Sequence, residues 1–280
     1  MTGFVAMMAA PVVAALVLVA MHGYLGGHVV RRGVIFVDIA LAQVAAFGVA
    51  LALFFGAEVG TDAAWFSGLG ATFLGALLIS ATRTGDQRIP QEAYIGIIYA
   101  VFSAAMILVL TQVPHGSEEI RHLLVGSILW VTWTEVLKTA VLYAVLGGAL
   151  WWAHGRLSLI SASPDRARAR GLDLARWDFL FYAVLGTVVT SSVQIAGVLL
   201  VFTLLVVPTV MAYRRGRAGG WRQMVHVLAT GLLAVILGAG ASYALDLPTG
   251  AAIVCVFGLL LGLQVTVEAL LGRRHGGMAS

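Results

Sequence analysis

Apolar runs long enough to cross a bilayer alternate with short polar breaks along nearly the whole chain. Nine runs can be delimited, at about 4–30, 33–56, 64–82, 91–113, 130–154, 178–193, 195–213, 221–245 and 248–271. A helix needs ~20 apolar residues to cover the ~30 Å hydrocarbon core, and most of these runs approach or exceed that length. The sixth and seventh are short and nearly continuous. The polar patch Thr190-Ser191-Ser192 with Gln194 predicts a tight re-entrant turn between them, which is tolerated at membrane depth only when packed in protein. If 178–213 crosses differently, the count falls to eight. Gly258 and Gly262 form a GxxxG pair in the last run, expected to let helices approach closely.

Composition agrees with the pattern. Of 280 residues, 60% are hydrophobic and 11% charged, with a mean hydropathy of +0.97, against about 25% charged in soluble domains. The chain is therefore expected to be one all-α, polytopic transmembrane domain over 1–280, with no soluble domain in its loops. There is no charged n-region, so a cleaved secretory signal is not expected. The one cysteine, Cys255, lies inside an apolar run, which excludes an intrachain disulfide and a cysteine-rich metal site.

Charge fixes the orientation. Basic residues follow every second run: Arg31 and Arg32, Arg83 and Arg88, Arg156 to Arg176, Arg214 to Arg222, Arg273 and Arg274. The other loops carry Glu58 and Asp62, Glu118 and Glu119, and Asp246. The positive-inside rule then places the N-terminus outside and the C-terminus inside. The longest polar segment, 156–178, is cytoplasmic and carries five arginines. Within it, Ser163-Pro164-Asp165 spells a capped helix start and Gly171 a stop. So short a helix is marginal in water, which points to a docking partner.

Candidate chemistry is sparse. There is no GxxxxGK[ST] loop, HExxH, CxxC or nucleophile elbow, so a chain with its own active site is the weaker class. An acid within a span is a functional candidate by default. Asp38 is one, with Gln43 further along the same helix; the plain alternatives are pairing of Asp38 with Arg31 or Arg32 and an interhelical bond for Gln43. Glu92 opens the fourth run, as a helix-terminal acid or as part of a path. In the outer loop His115, Glu118, Glu119 and His122 share a face if that loop is helical, a set that suits a divalent metal; the alternative is a solvated loop. His22 and His28 are expected to be packing residues, and Glu135 could pair with Lys138.

Six segments resemble the ABC-3 type permeases, the bacterial zinc, manganese and iron importers. They are RRGVIFVDIALAQVAAFG (31–48), QEAYIGIIYAVFSAAMILVL (91–110), RHLLVGSILWVTWTEV (121–136), SPDRARARGLD (163–173), IAGVLLVFTLLVVPTVMAYRR (195–215) and DLPTGAAIVCVFGLLLGL (246–263). The resemblance implies the fold of a type II ABC importer permease and a role as a multi-pass subunit of the bacterial inner membrane. It implies import of a divalent transition metal, zinc first and manganese or iron next. It also implies a homodimer, a separate ABC ATPase that binds the ATP, and an extracytoplasmic metal-binding protein; this chain itself would hold no cofactor. Asp38 and Gln43 would line the path, with His115, Glu118, Glu119 and His122 at its outer mouth. Pro164, Asp165, Arg166, Arg168, Arg170 and Gly171 would contact the ATPase. In the family's second-span pattern, Asp-x-x-x-His, Ile39 and Gln43 occupy the two ligand positions here and Asp38 is displaced by one. Import of a metal chelate or other small solute, or a proton-coupled secondary carrier, are the alternatives.

Overall fold

The computed structural model describes residues 2–58, 60–83, 89–113, 128–216 and 220–276. Among the described residues there are nine α-helices and no strand: α1 Thr2–Arg32, α2 Val37–Phe54, α3 Asp62–Ala81, α4 Gln91–Leu110, α5 Trp133–Ala162, α6 Pro164–Ala169, α7 Leu174–Arg214, α8 Gly220–Leu245 and α9 Thr249–Gly276. A 3-10 turn, Ile128–Trp130, precedes α5. Eight of the helices are long and apolar enough to cross a membrane.

Several helix starts are fixed by side chains that satisfy orphan amides. Thr61 accepts from Ala64 N before α3, and Asp173 accepts from Arg176 N before α7. Thr132 and Glu135 form a capping box before α5, so the Glu135 carboxylate is engaged by Thr132 rather than by Lys138.

The 41-residue α7 would measure about 62 Å if straight, twice the hydrocarbon thickness. It does not run straight. Gly197 has φ 76° and ψ 158°, a backbone state reserved in practice for glycine, and the helix folds back there. Contacts with α1 show the reversal. Asp178 and Tyr213, near opposite ends of α7, both bond the C-terminal end of α1, through Arg32 and through Gly27 and Arg31. The tip residue Ile195 lies instead against Ala14, Val17 and Leu18, well up α1. The two arms of α7 are thus the predicted sixth and seventh runs, and the re-entrant reading holds. The pivot sits at Gly197, three residues beyond the polar patch.

Helix α7 and helix α2 form the buried centre, with α1 and α3 against them and α4, α5, α8 and α9 outside. Small residues permit the close contacts. A Cβ on Gly26 would lie 2.1 Å from Leu205 O of α7, and one on Gly186 would lie 2.2 Å from Thr72 Cγ2 of α3. A Cβ on Gly258 or Gly262 meets nothing within 4 Å, so this pair packs no helix within the described chain, contrary to the expectation.

Candidate functional site

Polar side chains occur at three depths inside the bundle. At the outer end, a cavity of about 370 Å³ is lined by Thr61, Asp62 and Trp65 of the α3 start, Glu135, Lys138 and Thr139 of the α5 start, and Ser191 and Gln194 at the α7 tip. The expected outer cluster, His115, Glu118, Glu119 and His122, lies outside the described residues.

Below the cavity, the hydroxyls of the α7 tip reach three neighbouring helices. Ser191 donates to the Tyr143 hydroxyl of α5 at 3.3 Å. Ser192 Oγ lies 3.2 Å from Nε2 of His22, whose Nδ1 is 2.8 Å from Leu18 O. Thr190 shares a 2.8 Å hydrogen bond with Thr72 of α3. Ser191 and Ser192 also donate to Val188 O, and Thr72 to Gly68 O, the usual way polar groups are held at membrane depth. His22 is fully buried, in line with its expected packing role.

At the inner end, Asp38 is 1% exposed and its Oδ2 meets no partner among the described residues. Arg31 and Arg32, the partners considered for it, are engaged elsewhere. Asp38 shares a face of α2 with Leu41 and Ala45, three and seven residues on, which pack against α3 and α7. Gln43 is also buried with an unpartnered Oε1, but five residues from Asp38 it sits about 140° around the helix. The two do not converge on one point. Glu92 does not cap its own helix. Its Oε1 accepts from Phe36 N at 2.9 Å, so α4 supplies the cap that the start of α2 lacks.

The ends of three helices meet at one carboxylate, and a fourth joins them through Arg32. Asp178, fully buried at the start of α7, accepts from Arg32 Nη1 of α1 at 2.6 Å and from Arg83 Nη1, just past α3. Arg32 Nε donates to Ser161 Oγ of α5 at 2.9 Å, and the same hydroxyl lies 3.0 Å from His28 Nδ1. The Arg32 guanidinium stacks over Phe181, 4.1 Å from the ring centroid. Sequence reading did not single out this clamp. Its one signal was an acid opening an apolar run inside the most basic loop.

Helix α6 stands beside the clamp. Ala167 is buried against Ile160 and Leu174, while Asp165, Arg166, Arg168 and Arg170 are exposed. Pro164 occupies the first turn, though Ser163 makes no side-chain cap bond, which corrects the expected N-cap. The stop at Gly171 (φ 74°) is a Schellman motif: Leu172 N donates to Ala167 O at 3.1 Å and Gly171 N to Arg168 O at 2.9 Å. The result is a short, anchored helix that leaves its arginines exposed.

A polytopic bundle with polar groups at both mouths and through its interior, and a cationic helix on the inner face, is a membrane transport protein. The chain belongs to the ABC 3 transport family, whose sequence profile matches residues 5–268. It is 26% identical over 235 residues to the manganese transport system membrane protein MntC of Listeria monocytogenes, covering 84% of this chain and 81% of that one. It is 25% identical over 189 residues to the manganese transport system membrane protein MntB of a Synechocystis strain, covering 68% of this chain and 60% of that protein's length. The fold matches that of PsaBC from Streptococcus pneumoniae, solved in complex with a Fab, with a TM-score of 0.75, 22% identity and coverage of 92% of this chain and 90% of that one.

Proposed function

We propose that this chain is the membrane-spanning permease subunit of an ABC importer for a divalent transition metal. Its relatives' transport of manganese carries that reading. The chain has no P-loop, so ATP is hydrolysed by a separate subunit, and two permease copies with two ATPases and an outer metal-binding protein complete the assembly. The binding protein delivers metal to the cavity at the α7 tip. ATP binding in the partner moves α6, and the clamp at Asp178 carries that motion to α1, α3 and α7. Inward and outward states then exchange as a population shift.

Sequence reading ranked zinc first. The manganese transport of its relatives reverses that order, and the Asp38 carboxylate is an oxygen donor, a type that suits manganese better than the nitrogen and sulfur sets that favour zinc. The buried, unpartnered Oδ2 of Asp38 is the first candidate to meet the ion in transit. In vesicles holding the chain with its co-purifying ATPase, ATP-dependent uptake of radiolabelled manganese is expected to exceed that of zinc. Asp38→Asn should lower it by roughly tenfold, the loss of about 1.4 kcal/mol of transition-state stabilisation. Wild-type uptake in that variant would remove Asp38 from the path. Chelate transport is the second reading, favoured by Gln43 in a ligand position and by an outer cavity of about 370 Å³, far roomier than a bare ion needs. Uptake of a ferric chelate with no uptake of free manganese would establish it.

The α6 reading has its own test. Arg168→Glu with Arg170→Glu sets acids beside Asp165, which now pairs with Arg168 at 3.0 Å. The variant should stay in the membrane but lose ATPase co-purification, or keep it with transport uncoupled. Unchanged association together with unchanged transport would dismiss α6 as the coupling element.

A further inference from the structure

Two adjacent cavities on the membrane face of the bundle share Tyr24 and Trp151, and neither belongs to the path above. The first, about 400 Å³, lies at the cytoplasmic ends of α1, α5 and α8. Its polar lining is Tyr24, His28, Arg31, His154, Ser158 and Gln223, with no carboxylate among the described residues. These side chains are held in place. The Tyr24 hydroxyl and His154 Nδ1 are 2.9 Å apart, His28 Nδ1 is fixed by Ser161, and Arg31 Nε donates to the Tyr213 hydroxyl at 2.8 Å. One arginine among several hydrogen-bonding side chains, closed by no acid, matches a phosphate. The rim carries Trp151 and Trp221, 81% and 71% exposed, side chains that favour the headgroup level of a bilayer.

The second cavity, also about 400 Å³, shares Tyr24 and Trp151 with the first and continues up the groove between α1 and α5. Its walls are apolar or small: Val17, Met21, Ala140, Ala144 and Gly147 among them. From Arg31 to Val17 is about 21 Å along α1. One leaflet, from headgroup to midplane, is also about 20 Å deep. A cationic pocket at the inner surface, joined to an apolar groove one leaflet long, has the shape and charge of a lipid.

We propose that the cleft between α1, α5 and α8 binds one anionic phospholipid of the cytoplasmic leaflet, its phosphate against Arg31 and His154 and its acyl chains along the α1–α5 groove. This rests on the membrane topology and not on the identity of the cargo. Juxtamembrane basic groups hold anionic lipid, and a site of this kind would make the mobility of α1 and α5 depend on membrane composition.

The test is native mass spectrometry of the full chain, with whatever subunits co-purify, from nanodiscs of phosphatidylglycerol or of phosphatidylcholine. Wild type should retain one phosphatidylglycerol per chain and no phosphatidylcholine. Arg31→Gln with His154→Gln should lower retention at least on the order of fivefold, through the lost Arg31 charge and the lost His154 hydrogen bond. Gly147→Phe fills the groove at a site where an added Cβ meets nothing within 4 Å; it should expel the lipid with the head pocket intact. If the double variant fails to fold, wild type and Gly147→Phe still decide the matter. Equal retention of the two lipids would overturn the proposal. So would displacement by millimolar inorganic phosphate, which would make it a free-anion site, or disulfide dimers from Gly147→Cys, which would make the groove an interface between copies.

Discussion

Asp178→Ala will remove most of the folded protein from detergent-solubilised membranes. The carboxylate is fully buried, and it neutralises Arg32 and Arg83, whose side chains are 2% and 15% exposed. Without it, two guanidinium groups remain with no counter-charge among the described residues. Breaking a buried pair from one side costs about 3–5 kcal/mol, because the stranded charge keeps its desolvation penalty. That is a large part of the about 5–15 kcal/mol that holds a typical domain folded. The damage extends beyond one contact, since Arg32 also organises Ser161 of α5 and the Phe181 ring. Arg83→Gln should be much milder, because the pair of Arg32 with Asp178 survives it. The double variant Asp178→Asn with Arg83→Gln should recover part of what Asp178→Asn loses, as expected for groups acting as one unit. Thermal melting followed by size-exclusion fluorescence measures all four. An Asp178→Ala protein that melts with wild type would show that the clamp carries no weight.

The clamp also marks the limit of what the sequence discloses. The apolar segments and the short helix at 164–169 follow from hydropathy and from Pro164 and Gly171, all of which act locally. The partners of Asp178 lie 146 and 95 residues away, and nothing local selects them from seventeen basic residues. The same limit explains Asp38. Its sequence neighbours Arg31 and Arg32 were the natural partners, but α1 ends and the chain turns before α2 begins, so both arginines join α5 and α7 instead. Glu92 was legible as a helix-terminal acid, but not as the cap of another helix. The patch Thr190-Ser191-Ser192 signalled irregular backbone. Those hydroxyls are in fact satisfied within the helix and by Tyr143, His22 and Thr72, and the bend falls where glycine alone permits it.

Gly197→Ala should therefore be the second severe variant, and Gly197→Val should yield no monodisperse protein. At φ 76° and ψ 158°, any side chain brings strain on the order of 1–3 kcal/mol. The cost cannot be escaped by relaxing to ordinary helical angles. Straightening would carry the second arm of α7 away from α1 and break the bonds of Tyr213 to Gly27 and Arg31. It would also produce a helix of about 62 Å in a hydrocarbon layer of about 30 Å. The chain must keep the strain or lose the fold, and the tip that lines the outer cavity would move in either case. Gly148→Ala supplies the control. It places a methyl on an α5 glycine with open space around it, where alanine is the better helix former by up to about 1 kcal/mol, so its melting temperature should match or exceed wild type. If Gly197→Ala melts with that control, the reversal in α7 does not depend on glycine, and the two arms must be held together by their packing against α1 alone.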